Sequence, residues 1–266
     1  MFFSVLMSIY NKEKPEYLDS CLNSLFLQTK LANEIILVED GPINSQLSKV
    51  IEKYRKKLNI KSPKLKNNSG LASALNYGLT FCCHDIVIRM DTDDISIPER
   101  FQLQSDYLIK NEHIDVLGAL VDEYNEDLST YISTRHLPEF NDEIYLFSKS
   151  RSPISHPSCA FRKSVILKYD GYPLLQRAQD YGLWSKLITH DVKFHNLQKV
   201  LVKMRCGDGL LERRGFFYLK NEYSLLYYQY QIGFINLPRL LLNIISRSLL
   251  RLSPPKVKKF IYLKLR

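Results

Sequence analysis

Three aspartates fall within four residues, Asp91, Asp93 and Asp94, directly after the apolar run DIVIRM at 85–90. Like charges held that close raise one another's pKa and destabilise a fold unless a cation relieves them. Carboxylate oxygens beside space for a substrate suit Mg2+ or Mn2+, which are commonly held by one or two carboxylates together with phosphate oxygens. Capping of the helix that begins near Pro98 would account for one of these aspartates and not for three. A second acidic pair, Glu39-Asp40, ends the run EIILV and leads into Gly41-Pro42, a turn signal. Asn67-Asn68-Ser69-Gly70 precedes a helical stretch and supplies capping groups and backbone N–H donors able to face an anion.

The elements that must position these groups alternate along the front half. Residues 2–9 are apolar and β-prone, and Pro15 opens an amphipathic helix to about residue 29 with Leu18, Leu22, Leu25 and Phe26 on one side. Residues 34–39 form a second buried strand and 45–58 a helix with a polar face. A weak basic strand at 60–66 and a helix at 70–83 follow, then a strand at 85–90 and a helix at 98–111. Strands alternating with helices of this length imply a parallel sheet with right-handed crossovers, a doubly wound α/β unit. Ligands of such sheets bind at the carboxyl ends of the strands, where the two acidic groups lie. Past residue 114 the rhythm changes to paired strands at 115–124 and 130–137, a short strand at 155–162, a helix at 177–189 and one or two strands at 192–204. Residues 213–252 read as helical.

The chain has 266 residues, 45% hydrophobic and 24% charged, which excludes dominant disorder, and 10 Gly with 11 Pro exclude a collagen-like chain. Five scattered cysteines without a CxxC pair point away from a disulfide framework and toward a reducing compartment. The N-terminal residues lack the basic-then-apolar pattern of a secretory leader, and no stretch of 18 uncharged apolar residues predicts a membrane-spanning helix. The net charge of +9 is uneven: residues 1–222 carry 29 basic and 28 acidic side chains, and the remaining eight basic ones all follow Glu222. Within RLLLNIISRSLLRL, Arg239, Asn243, Arg247 and Arg251 recur every four residues as one polar stripe, with leucines and isoleucines over the rest. That pattern suits a helix lying in a membrane interface with its arginines toward anionic headgroups, a theme continued by Lys256, Lys258 and Lys259. A helix packed on the domain with its stripe in water is the alternative. Nucleic acid is disfavoured, because the basic side chains are interleaved with a wide leucine surface.

The order SVLMSIYN, EIILVEDG, NNSGLASALNYG and RMDTDDISIPERF resembles the family 2 glycosyltransferases with the GT-A fold. ISHPSCAFRKS, RAQDYGLW and LVKMRCGDGLLERRG resemble the back half of the bacterial polysaccharide members, so the likeness runs from about residue 3 to 215. It implies a Rossmann-like α/β fold, a mostly parallel sheet with helices on both faces, over residues 1–215, and a helical, basic, amphipathic segment over 216–266. The family transfers a sugar from a nucleotide diphosphate to an acceptor hydroxyl. By position, Ser8, Tyr10 and Asp40 would hold uracil and ribose, with Asn68 nearby. Asp91 and Asp93 would match the family's DxD and hold Mn2+ or Mg2+, and Asp94 would lie against the ribose or the donor sugar. Arg205, Arg213 and Arg214 would reach the phosphates unless they are solvated surface arginines. Asp180 would be the general base of an inverting transfer, or else merely a partner of its helix dipole. Trp184 and His156 would face the acceptor, with core packing the alternative for both.

The resemblance further implies a UDP-hexose donor, galactose or glucose, and a lipid-linked acceptor, GlcNAc-diphosphoundecaprenol, joined by a β-1,3 linkage in O-antigen or capsule assembly. It places the protein peripherally at the cytoplasmic face of the bacterial inner membrane. Intact Asp91, Asp93 and Asp180 argue against a catalytically silent scaffold subunit. Two departures stand out: Gln179 precedes Asp180 where many members have Glu, and Cys206-Gly207-Asp208 has no His where several relatives place a further metal ligand.

Overall fold

The computed structural model describes residues 2–207 and 216–253. Its centre is β1 (Ser4–Ile9), flanked by β2 (Glu34–Glu39) and β4 (Ile86–Arg89), with β3 (Ile60–Lys61) beyond β2, all parallel. Strands buried on both faces must be apolar throughout, which is why VLM, IILV and IVI are unbroken. The crossovers are α1 (Pro15–Phe26), α2 (Ser45–Arg55) and α3 (Leu71–Leu79). Pro15 starts α1, which buries Leu18, Cys21, Leu22 and Leu25; the Asn44 side chain caps α2 by accepting from the N–H groups of Gln46 and Leu47. The front half is the expected doubly wound unit.

The back half joins the sheet differently. After β5 (Ile95–Ser96) and α4 (Arg100–Lys110), the hairpin of β6 (Val116–Tyr124) and β7 (Tyr131–Arg135) forms without an intervening helix. A two-stranded turn of that kind pairs only antiparallel strands. A short helix α5 (Asn141–Ser148) and a single 3-10 turn at His156–Ser158 lead to β8 (Ala160–Arg162), which inserts antiparallel between β4 and β6. α6 (Lys163–Lys168) and α7 (Gln179–Ile188) follow, then the long β9 (Phe194–Arg205), parallel to β6 and antiparallel to β5. The order is β3-β2-β1-β4-β8-β6-β9-β5, with β7 on β6, so the sheet is mixed, parallel in front and largely antiparallel behind. The strand expected over 155–162 covers only its last three residues.

Two apolar cores form, one holding Met7, Leu22, Leu37 and Phe101 and the other holding Leu6, Val38, Leu75 and Trp184. The second core also takes Leu226 from α8 (Phe216–Gln231), Leu240 from α9 (Leu237–Leu252), and Phe234 and Ile235 from the turn between them. This packing decides which way α9 faces, and it reverses the expected orientation. Arg247 reaches the Glu222 carboxylate and the Ser150 carbonyl, Arg239 reaches the Lys149 carbonyl, and Asn243 is buried. Arg239, Asn243 and Arg247 therefore face the protein, where a carboxylate and two carbonyls take hydrogen bonds from the two arginines. Leu237, Leu241, Leu242, Ile245 and Leu249, each more than half exposed, face outward. All five cysteines are free thiols, and among the described residues no helix is long and apolar enough to cross a membrane.

The turn after β2 depends on Gly41, whose φ of 84° is left-handed and whose position would put a Cβ 2.7 Å from the Asn68 backbone nitrogen. Gly41→Ala should lower unfolding stability by about 1–3 kcal/mol through strain and the clash; an unchanged denaturation midpoint would contradict this close approach.

Candidate active site

The residue opposite Arg89 on β1 is Leu6, so Asp91 emerges from the sheet level with Ser8, at the edge where Asp40 leaves β2. Beyond β4 the carboxylate oxygens of Asp91, Asp93 and Asp94 lie within 4.8 Å of one another. Neighbouring elements hold this loop rigid. The Cys21 thiol donates to the Asp91 carbonyl at 3.2 Å, the Thr92 hydroxyl to Glu13 at 2.8 Å, and the Arg205 N–H to Asp94 Oδ1 at 2.9 Å. Burial, reinforced by Asp91 and Glu13, pushes the Asp93 carboxyl up to about 7. Burial together with Asp93 and Asp91 pushes Asp94 well above the carboxylate range. Three electrostatically opposed hard-oxygen donors fit a divalent cation such as Mg2+ or Mn2+, whose charge would relieve the repulsion.

Asp94 is 2% exposed and ties β9 to the cluster through its Oδ1. Arg205 lies against the same cluster. Its Nε donates to the Asp93 carbonyl at 2.7 Å and its Nη1 to the Glu126 carbonyl at 2.9 Å, with the guanidinium 4.3 Å from the Tyr17 ring centroid. It braces the cluster through Nε and Nη1. Arg213, Arg214 and Asp208 lie outside the described residues.

At the end of β2, the buried Asp40 accepts the Ser69 N–H at 2.7 Å on Oδ1 and the Gly70 N–H at 3.0 Å on Oδ2. The Asn68 side chain donates to the Asp40 carbonyl at 3.3 Å. The NNSG segment is thus folded onto the strand end, with Asn68 exposed beside it. Ser8 pairs with Val38 in the β1–β2 register and Tyr10, just past it, is exposed. Ser8, Tyr10, Asp40, Asn68 and Asp91 therefore gather along one edge of the sheet.

Asp180 sits in the first turn of α7, whose preceding residue, Ala178, takes a left-handed φ of 58°. Burial raises the Asp180 carboxyl, opposed by the Tyr181 N–H and by Arg89. A carboxylate with a raised pKa is a better base near neutrality. Arg89 draws on Asp93 and Asp94 as well. Asp91 and Asp180 both lie within electrostatic reach of the Tyr172 hydroxyl and the Cys159 thiol. The cluster and the carboxylate of α7 therefore share one neighbourhood, although 86 residues separate Asp94 from Asp180 in the chain.

Trp184 and His156 are corrected by the structure. Trp184 is 0% exposed, packed edge-on against Phe194 and His156, and has no face left for a sugar. His156 is 7% exposed and pairs its Nε2 with the Tyr172 hydroxyl at 3.1 Å. Burial and Arg89 hold its imidazole well below the usual range, so it is neutral. The expected helix face is real, but α8 and β9 cover it. Sequence reasoning missed Arg89; a charged residue ending an otherwise apolar buried strand was the available signal.

A family model described as Glycosyl transferase family 2 matches residues 4–170. The chain belongs to glycosyltransferase family 2. It is 38% identical over 263 residues to the UDP-Gal:alpha-D-GlcNAc-diphosphoundecaprenol beta-1,3-galactosyltransferase of Escherichia coli, covering 98% of this chain and 95% of that one. It is 40% identical over 266 residues to the amylovoran biosynthesis glycosyltransferase AmsE of Erwinia amylovora, covering 98% of each. Among solved structures, S. aureus TarS 1-349 in complex with UDP-GlcNAc superposes with a TM-score of 0.68 at 21% identity, over 94% of this chain and 73% of that one. That likeness shows the GT-A fold.

For this glycosyltransferase the cluster makes a pH-dependent prediction. Asp93 binds its proton more tightly folded than unfolded, so without metal its contribution to stability falls as pH rises from about 4 to about 7. A bound cation reverses that loss. Saturating Mn2+ should raise Tm more at pH 8 than at pH 5.5, and an equal shift at both would contradict the assignment.

Proposed function

We propose that this glycosyltransferase moves a hexose, galactose or glucose, from UDP to a GlcNAc-diphosphoundecaprenol acceptor with inversion, forming a β-1,3 linkage in O-antigen or capsule assembly. The observation that carries the chemistry is the shared neighbourhood of Asp180 and the Asp91–Asp93–Asp94 cluster around Arg89. The substrate classes follow from the nearly full-length likeness to the Escherichia coli enzyme.

In this reading the exposed Tyr10 ring stacks on uracil, and Ser8 contacts the nucleoside. Asp40 keeps lone pairs beyond its two backbone contacts and accepts the base N–H. Asn68 borders the same edge, and a role for Arg213 on the phosphates is carried by the family resemblance alone. Asp91 and Asp93 would hold Mn2+ or Mg2+. When bound, such an ion supplies Lewis-acid stabilisation of charge building on the departing diphosphate. Asp180 accepts the proton of the acceptor hydroxyl while that oxygen attacks the anomeric carbon from the face opposite UDP. The new glycosidic C–O bond forms as the bond to the β-phosphate oxygen breaks, and the proton ends on Asp180.

A lipid-linked acceptor asks for a membrane-facing surface, and α9 offers one. Its outward leucines and isoleucine suit burial at the boundary of headgroups and acyl chains, with the basic residues from Arg251 to Arg266 following in sequence. This supports a peripheral position at the cytoplasmic face of the inner membrane, entered through leucines rather than through the arginine stripe.

Two outcomes check these assignments. Asp180→Asn should lower kcat for transfer from UDP-galactose to a synthetic GlcNAc-diphosphate-lipid by roughly 10²–10⁴-fold while UDP affinity with Mn2+ stays near that of the wild type. Undiminished transfer would remove Asp180 from the mechanism. Leu241→Glu/Ile245→Glu should lose co-flotation with anionic phosphatidylglycerol vesicles while keeping transfer to a short-chain acceptor, and retained flotation would sink the role of α9.

A further inference from the structure

β4 ends in a charge that the reaction above does not use. Arg89 is 1% exposed, and its backbone N–H donates to the Cys159 carbonyl of the loop before β8 at 2.9 Å. Its Nη2 bonds Asp91 Oδ1, while Nε and Nη1 are buried without a hydrogen-bond partner. Buried N–H groups left unpaired are destabilising, because they give up their hydrogen bonds to water. Removing Arg89 alone would leave the neighbouring carboxylates without this counter-charge, which ties the guanidinium to the cluster rather than to the core. Folding alone therefore does not account for a guanidinium here.

A second buried arginine fixes this strand end in place. Arg100 on α4 donates from Nη2 to the Arg89 carbonyl at 2.6 Å and from Nε to Gln104 at 2.9 Å, and Gln104 in turn donates to the Ser158 carbonyl at 2.8 Å. The Arg89 side chain is thereby held at the base of the carboxylate cluster, with one side of Asp91 already engaged. Asp91 itself remains about one-third exposed, open to a ligand on its other side.

We propose that Arg89 is a positioning residue for the divalent cation: its guanidinium engages Asp91 before the ion arrives, keeps that carboxylate in the cluster, and loosens the ion's hold by like-charge repulsion. The inference rests on the reading that Asp91 and Asp93 hold the metal. A fixed positive charge a few ångströms from a divalent cation repels it even when screened to a protein-like effective dielectric. Arg89 thus stabilises the metal-free cluster and limits the affinity of the loaded one, which favours release of the ion with the nucleotide product.

The test is Mn2+ binding to the full chain without nucleotide, followed by electron paramagnetic resonance of the free ion, in wild type, Arg89→Met, Arg89→Lys and Asp93→Asn. Arg89→Met should bind Mn2+ roughly tenfold more tightly, have a lower Tm without metal and gain more Tm on saturation. Arg89→Lys should return the affinity toward wild type, because charge rather than the fork geometry sets it. If Arg89→Met folds only with Mn2+ in the refolding buffer, the proposal is supported, since binding then offsets the uncompensated cluster. Equal or weaker Mn2+ binding by Arg89→Met, or failure to fold even with Mn2+, overturns it. Wild-type affinity in Asp93→Asn, or no binding by wild type, would instead remove the metal-site reading itself.

Discussion

Asp91, Asp93 and Asp94 place carboxylate oxygens within 4.8 Å of one another at the end of a buried strand, and their repulsion would open the loop if nothing opposed it. The opposing contacts come from every side: Arg89 beneath, the Arg205 N–H from β9, the Arg205 guanidinium across the Asp93 carbonyl, and the Cys21 thiol from α1. None of these residues is near Asp91 in sequence except Arg89. The sheet order exists to deliver them, with β1 and β8 on the two sides of β4 and β9 returning to pair with β5 directly after the cluster.

The same arrangement joins the two halves of the reaction. β8, inserted antiparallel beside β4, brings Cys159 and the His156 turn against Arg89, and the chain that follows runs through Tyr172 to Asp180. The parallel front half thus supplies the proposed nucleotide edge and the cluster, and the antiparallel back half carries Asp180, the carboxylate proposed to take the acceptor proton. Neutral His156, hydrogen-bonded to Tyr172 and packed on Trp184, is part of the wall between them.

The front half was legible because each buried parallel strand is a continuous apolar run and each crossover helix has an apolar stripe of ordinary length. The back half was only partly so: α5 and α6 span eight and six residues, too few for a helical period to stand out, and β8 spans three. The acidic cluster and Asp180 were visible as residue types out of place in their elements. Arg89 was equally out of place at the end of an apolar strand, but its pairing with Asp91 is set by the backbone's exit from β4. Trp184 and the arginines of α9 show the limit from the other direction. Periodicity tells which residues share a face, but which face turns inward is settled by partners distant in sequence. For α9 those partners are Glu222 and the carbonyls of Lys149 and Ser150; for Trp184 they are His156 and Phe194.

The central claim is that one carboxylate, Asp180, removes the acceptor proton while the sugar leaves UDP from the opposite face in a single displacement. The configuration of the new bond reports this most directly. UDP-α-galactose, Mn2+ and a synthetic GlcNAc-diphosphate-lipid, with the product's anomeric proton read by NMR, should give a β-linked galactose as the sole product. An α-linked product would require retention, for which the site supplies no second carboxylate in the assigned role, and would contradict the account.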